Sequence, residues 1–250
     1  MVRPQFVNNE IYHIYNRGVE KRDIFMTDVD YFRFIHNLFE FNDIAPALST
    51  YYHSYEDEDK NHNSFEIGSR KIRDSRKIRK EREPRKLLVE ILAWCLMPNH
   101  YHLLLKQVKD NGISRFIQKL GIGYTMYFNQ KYERNGVLFQ GKSKAVLIKN
   151  EAHFLYLPFY FHANPLDLIE PSWREGKLND YQKTIKFLES YRYSSHLDYI
   201  NKINFSSISQ RRFILELFEG SENYKQQFQD WLKEMGEEKL ENLTPIILET

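Results

Sequence analysis

The chain has one cysteine, Cys95, in 250 residues, so it cannot form an internal disulfide, and packing and hydrogen bonds must hold the fold. The neighbours of Cys95 are apolar, which marks it as a small buried hydrophobe; a reactive thiol needs exposure and a partner that lowers its pKa. No apolar run approaches the roughly 20 residues that span a bilayer. The opening residues, MVRPQFVNNE, lack the apolar stretch of a secretory signal. An excess of charge of one sign is also missing. Thirty-six basic side chains stand against 34 acidic ones, so the net charge is only +2 and any nucleic-acid surface must come from local clustering. These absences together point to a soluble protein of a reducing cytoplasm. Aromatic residues, by contrast, are plentiful, with 17 Tyr and 18 Phe in a chain that is 42% hydrophobic. They can fill a large core or stack on bases, and composition leaves both uses open.

Hydrophobic periodicity orders the chain. Residues 10 to 18 (EIYHIYNRG) alternate and stop at Gly18, which predicts a strand. Residues 28 to 42 carry Tyr31, Phe32, Phe34, Ile35, Leu38 and Phe39 at helical spacing, with Asp28 or Asp30 as the cap. Residues 87 to 97 predict a mostly apolar strand, and Pro98-Asn99 turns it into a second strand over 100 to 107. A long amphipathic helix is expected over 112 to 134, ending at Asn135-Gly136. A strand over 137 to 148 and a short helix over 150 to 164, stopped by Pro165, follow. The order β-α-β-β-α-β-α is an α+β plan of ferredoxin-like type, an antiparallel sheet with helices on one face.

Two regions fall outside that plan. Residues 43 to 86 form a charged insertion: Glu56 to Asp59 are all acidic, and residues 69 to 86 hold ten Lys or Arg against three acids. A loop this long is uncommon inside a compact domain. It reads equally as a solvated charged arm or as a phosphate-binding arm. Residues 201 to 250 carry no clear chemistry and are expected as a helical C-terminal extension, with helices over 209 to 219 and 221 to 235. Residues 1 to 200 then make the main domain.

The stretch MPNHYHLLL, residues 97 to 105, carries the first chemical signal. His100 and His102 lie two apart on a strand, so both imidazoles project from the same face and can hold a divalent metal together. Chance alone supplies about 0.3 such pairs among nine histidines, so the motif is weak by itself. Tyr160 and Asn164 strengthen it, because they lie one helical turn apart. Transesterification of a phosphodiester needs a nucleophile, a cation to polarise the phosphate, and ligands for that cation. A tyrosine phenolate is a leaving group that lets the bond be resealed. Two imidazoles and an amide oxygen suit Mg²⁺ or Mn²⁺, with the softer Mn²⁺ the better match to nitrogen. Tyr124 and Tyr127 are rival tyrosines, but both fit the apolar stripe of the long helix.

Pro98-Asn99-His100-Tyr101-His102 followed by three leucines resembles the His-hydrophobic-His signature of the single-tyrosine HUH transposases, in particular the REP-associated tyrosine transposase branch. That branch also carries a Tyr-x-His-x-Asn-Pro motif, matched by Tyr160, His162, Asn164 and Pro165. Further matches are Tyr12 to Gly18, Asn135 to Lys144, and Tyr193-Ser194-Ser195 with Tyr199, so the resemblance covers about residues 8 to 200. It implies that Tyr160 is the nucleophile that attacks single-stranded DNA, forming a 5′-phosphotyrosine and a free 3′-OH. It implies His100, His102 and Asn164 as metal ligands, and a hairpin-bearing single strand as partner, handled by a homodimer or a monomer. Asn16, Arg17, Lys142 and Lys144 become candidates for contacts to DNA.

This chain departs from the family pattern at three points. Pro158 lies two residues before Tyr160, Phe139 and Lys142 stand where the family has Trp and Arg, and the 43 to 86 insertion exceeds the family core. Lysine cannot grip a phosphate bidentately as arginine does. Two other readings stay open: a domesticated DNA- or RNA-binding protein with little strand transfer, and a metal-dependent hydrolase in which water replaces Tyr160.

Overall fold

Ile11–Arg17 (β1) and His100–Gln107 (β3), both rich in aromatic and branched apolar residues, pair side by side, antiparallel, with Tyr15 opposite His102 and Arg17 opposite His100. The computed structural model describes residues 4–45 and 85–234. Val89–Met97 (β2) pairs with β3 through the Pro98-Asn99 turn, and Lys144–Leu147 (β4) pairs with β1. The four strands therefore run in the order β2-β3-β1-β4, all antiparallel, which is the ferredoxin-like order.

Helix α1 (Asp28–Glu40) has Thr27 as its N-cap, rather than Asp28 or Asp30. Asp30 does its capping from the third helical position, where its carboxylate accepts from the Met26 and Thr27 amides at 2.9 Å each. The same carboxylate accepts from Lys131 Nζ (2.7 Å), Tyr132 Oη (2.6 Å) and Tyr127 Oη (2.8 Å) at the end of α2 (Gly112–Lys131). Burial raises the Asp30 pKa, but the bonds from Lys131, Tyr132 and Tyr127 outweigh it and hold the pKa below the ordinary value. This network locks the start of α1 to the end of α2. Tyr124 is fully buried and donates to Ile24 O at 2.5 Å, and Tyr127 donates to Asp30, so both serve the core between α1, α2 and the sheet.

Helices α1 and α2 share one face of the sheet, where Tyr12, Ile14, Tyr101, Leu103 and Leu105 meet Phe34, Leu38, Phe116 and Leu120 in one core. The expectation of helices on one face only needs correcting. Helix α3 (Glu151–Ala163) packs on the opposite face, over Leu92, Ala93, Cys95, Met97 and Leu104. The physical reason is the mostly apolar character of β2, which leaves both of its faces to be covered. A register shift between Ile91 and Ala93 turns Leu92 and Ala93 both towards α3.

Strand β4 is shorter than the 137 to 148 span expected, because Gly136 and Gly141 take positive φ (88° and 70°) and bend the preceding segment into a loop. Helix α3 runs through Pro158, which lies within it. The chain continues as a 3-10 turn over Asn164–Leu168 and another over Pro171–Glu175. Four short helices follow: α4 (Tyr181–Leu188), α5 (His196–Tyr199), α6 (Arg212–Leu217) and α7 (Ser221–Lys233). The residues after 200 share a core with α3, since Ile214, Phe218, Tyr224, Phe228 and Trp231 pack with Phe159 and Tyr160. They form part of the second layer of the fold.

The insertion lies almost wholly outside the described residues, and so does its basic run up to residue 84. Its two ends meet: the Ile44 amide donates to Lys86 O at 3.0 Å, and Asn42 Oδ1 accepts from the Leu88 and Val89 amides. The ferredoxin-like core is thus closed across the point where the insertion leaves it. No helix among the described residues is long and apolar enough to cross a membrane.

Candidate nucleophile and metal-ligand site

Period-two alternation puts His13, Tyr15 and Arg17 of β1, and His100 and His102 of β3, on the α3 face. His102 is fully buried, and its ring centroid lies 6.3 Å from that of Tyr160 in an edge-on arrangement. Phe161 packs against both His102 (5.3 Å) and His13 (4.9 Å). His102 therefore faces the helix that carries Tyr160, and the His100 ring lies 4.9 Å from that of His102.

Hydrogen bonds set the orientation of both imidazoles. His100 Nδ1 lies 2.6 Å from Asn99 Oδ1, so it donates there and the lone pair falls on Nε2. His102 Nδ1 lies 2.9 Å from His13 Nε2, inside the sheet. If His102 donates in this pair, its Nε2 carries a lone pair for a metal; if His13 donates, Nε2 of His102 is protonated and cannot ligate. His13 therefore controls which tautomer of His102 is present. Sequence reading missed it, although it stands inside the quoted YHIYNRG segment. Its place directly beside the His pair depends on strand register, which a single sequence does not display.

Tyr160 and Asn164 are both fully buried. Tyr160 Oη accepts from Arg174 Nη1 at 2.5 Å, and Asn164 Oδ1 accepts from Arg174 Nη2 at 2.8 Å. Asp167 holds the guanidinium from its other side, with Oδ1 at 3.2 Å from Nε and Oδ2 at 2.7 Å from Nη2. Trp173 Nε1 donates to Asp167 Oδ1 at 2.6 Å, and the Arg174 guanidinium lies over the Tyr160 ring at 5.0 Å. Arg174 and Asp167 were also missed, for the same kind of reason: they lie on the two 3-10 turns after α3, segments without hydrophobic period.

The remaining predicted residues divide between the two faces. Arg17 lies opposite His100 and donates to Gln140 Oε1 at 2.5 Å, while Lys144 lies opposite Tyr15 and is exposed. Both stand on the α3 face. Asn16 points the other way and donates to Gly141 O (3.2 Å) and Ser143 Oγ (3.4 Å). Asn16 and Lys142 line a separate groove of about 760 Å³ between α2 and the loop before β4, with Ile122, Met126 and Val137 exposed at its walls. The four candidate DNA contacts are thus two pairs on opposite sides of the sheet.

His162, between Tyr160 and Asn164, is fully buried and serves structure. Its Nε2 lies 2.8 Å from Ser195 Oγ and its Nδ1 2.7 Å from Tyr224 Oη. Burial, reinforced by neighbouring His196, holds the His162 pKa well below the ordinary value. The Tyr193-Ser194-Ser195 segment caps the outer edge of β2, with Leu96 N donating to Tyr193 O (2.8 Å) and Ser195 N to Trp94 O (2.9 Å).

Among the described residues no group of three or more His, Cys, Asp or Glu is arranged to hold a metal. A cation here would rest on two imidazoles and the Asn164 amide. The donor set suits a divalent ion of mixed nitrogen and oxygen preference, and a metal-binding histidine commonly donates its other ring nitrogen to an oxygen, as His100 Nδ1 does to Asn99.

Residues 67–151 of the chain match the family model described as Transposase IS200 like. That span contains His100 and His102 and ends before Tyr160. No curated protein matches the chain. A solved structure described as a REP-associated tyrosine transposase bound to a REP hairpin is similar at 12% identity and a TM-score of 0.46, over 80% of this chain and 85% of that one. The likeness to single-tyrosine transposases read from the sequence is therefore met by a transposase family model.

Proposed function

We propose that this chain, related to the IS200-like transposases through residues 67–151, is a transposase that cuts and rejoins single-stranded DNA at hairpin-bearing ends. The observation that carries the reading is the convergence of Tyr160, Asn164 and His102 at one place on the α3 face, from two elements far apart in sequence.

Tyr160 Oη attacks the scissile phosphorus, forming the P–Oη bond as the P–O3′ bond breaks. The phenol proton passes to solvent, and the departing 3′-oxygen takes one up. The product is a 5′-phosphotyrosine and a free 3′-OH, and attack by a 3′-OH on the same phosphorus reverses the step. His100, His102 and Asn164 would hold a divalent cation, Mg²⁺ or Mn²⁺, whose chemistry is to polarise the phosphate and neutralise its developing charge. His13 fixes the His102 tautomer, and Arg17 and Lys144, on the same face, offer charge to the strand backbone.

The test uses hairpin oligonucleotides labelled at the 5′ or the 3′ end, incubated with the protein and Mn²⁺. Wild type is expected to form a covalent adduct with the segment 3′ of the cut, and Tyr160→Phe to form none. An undiminished adduct with Tyr160→Phe, or binding of DNA without any adduct in wild type, refutes the transfer reading; the second result is what a domesticated binding protein gives.

A further inference from the structure

We infer that Arg174 is a further catalytic residue of this site, one that holds the nucleophile and competes with the divalent cation for Asn164; this rests on the function proposed above. One guanidinium reaches three groups at once: Tyr160 Oη at 2.5 Å, Asn164 Oδ1 at 2.8 Å, and the Asp167 carboxylate at 2.7 Å. Only a planar fork with five donors makes this arrangement, so arginine is required and lysine would keep the charge but lose the geometry. Asp167 is itself fixed by Trp173 Nε1, and Trp173 is fully buried, so the fork is held from behind by a rigid anchor.

Two consequences follow from chemistry. First, a guanidinium bonded to the phenol oxygen meets the negative charge that develops there when phosphotyrosine is the leaving group. Second, the Asn164 oxygen accepts from Arg174, and it is the oxygen a metal would take beside His100 and His102. The metal and the guanidinium then share one acceptor. Charge repulsion would add to that competition, so a cation held there would loosen Arg174 from Asn164. The N–H given up by Asn164 could then turn to the phosphate, to which a guanidinium is well matched.

Mn²⁺ binding to the full chain, followed by EPR without DNA, tests the competition. The variants are Arg174→Gln, Asn164→Ala and the two combined, with thermal melting as the control for folding. Arg174→Gln is expected to tighten Mn²⁺ binding by about fivefold or more, and the gain is expected to vanish in the Asn164→Ala background. An unchanged affinity in Arg174→Gln, an equal gain in both backgrounds, or no Mn²⁺ binding by any variant overturns the inference. In single-turnover adduct formation at saturating Mn²⁺, Arg174→Gln is expected to lose about 100-fold in rate with DNA affinity kept within about twofold, and Arg174→Lys to recover part of it. An Arg174→Gln rate near that of wild type overturns the catalytic part. Absence of adduct in wild type refutes the transfer reading, while the Mn²⁺ arm still decides whether Arg174 and metal share Asn164. If Arg174→Gln fails to fold, Arg174→Lys and Asp167→Asn carry the same two measurements.

Discussion

At the scale of single residues, the site depends on side chains whose hydrogen bonds decide what they can do. His102 can ligate a metal through Nε2 only when its Nδ1 donates to His13, 2.9 Å away. Substituting His13 by Phe removes the acceptor and frees the tautomer. The group that accepts from the other ring nitrogen of a metal-binding histidine is typically worth about 10- to 100-fold in metal affinity. His13→Phe is therefore expected to weaken Mn²⁺ binding by about tenfold or more, measured by EPR titration, with the ferredoxin-like fold retained by circular dichroism. A Mn²⁺ affinity equal to that of wild type would show that His13 is only a packing residue.

At the scale of elements, α3 is placed by a buried polar relay as much as by its apolar surface. His162 joins Ser195, beside the β2 edge, to Tyr224 on α7, and burial pushes the Tyr224 phenol well above its ordinary pKa, so it stays protonated as a donor. Tyr224 also packs against Phe159, Tyr199 and Phe218. Tyr224→Phe keeps the ring and removes only the hydroxyl, which leaves His162 Nδ1 buried without its partner. The expected loss is about 1–3 kcal/mol in urea unfolding. Adduct formation, assayed below the unfolding transition, is expected to fall less than in Arg174→Gln, because the relay sets the place of α3 and not the nucleophile itself. An unchanged unfolding midpoint would mean that packing alone seats α3.

At the scale of the whole molecule, two fully buried histidines make the fold sensitive to acid. Burial pushes His196 down to about 3 and holds His162 well below its ordinary value. Both groups take up a proton more readily in the unfolded chain, near the ordinary 6.5, than in the folded one. Their contribution to stability is thus complete above pH 6.5 and is lost as pH falls towards the folded-state values. His196 alone accounts for on the order of 2 kcal/mol between pH 7 and pH 5. Urea unfolding at pH 7.5 and pH 5.0 is expected to show a lower midpoint at the acid value. His196→Asn is expected to reduce the difference, and equal midpoints for wild type would contradict the buried neutral state. The pinned ends of the insertion, at Ile44 and Lys86, also belong to this scale, since they let the core close without the segment between them.

Periodicity by itself determined the strands, the two long helices and hence the antiparallel ferredoxin-like order, because side-chain alternation of two and of 3.6 is a local property of the chain. Residue chemistry and spacing singled out His100, His102, Tyr160 and Asn164, since two imidazoles two apart and a Tyr–Asn pair four apart each share a face. Tertiary structure decided the rest. Only strand register places His13 against His102, and only the path of the two aperiodic 3-10 turns after α3 brings Arg174 and Asp167 back onto Tyr160 and Asn164. The same holds for Asn16 and Arg17, adjacent in sequence yet on opposite faces, and for the helices after 200, whose amphipathic faces do not name the layer they complete. Contacts between residues far apart in sequence carry no local signature, and in this protein His13, Arg174 and Asp167, which hold the residues proposed as nucleophile and metal ligands, are of that kind.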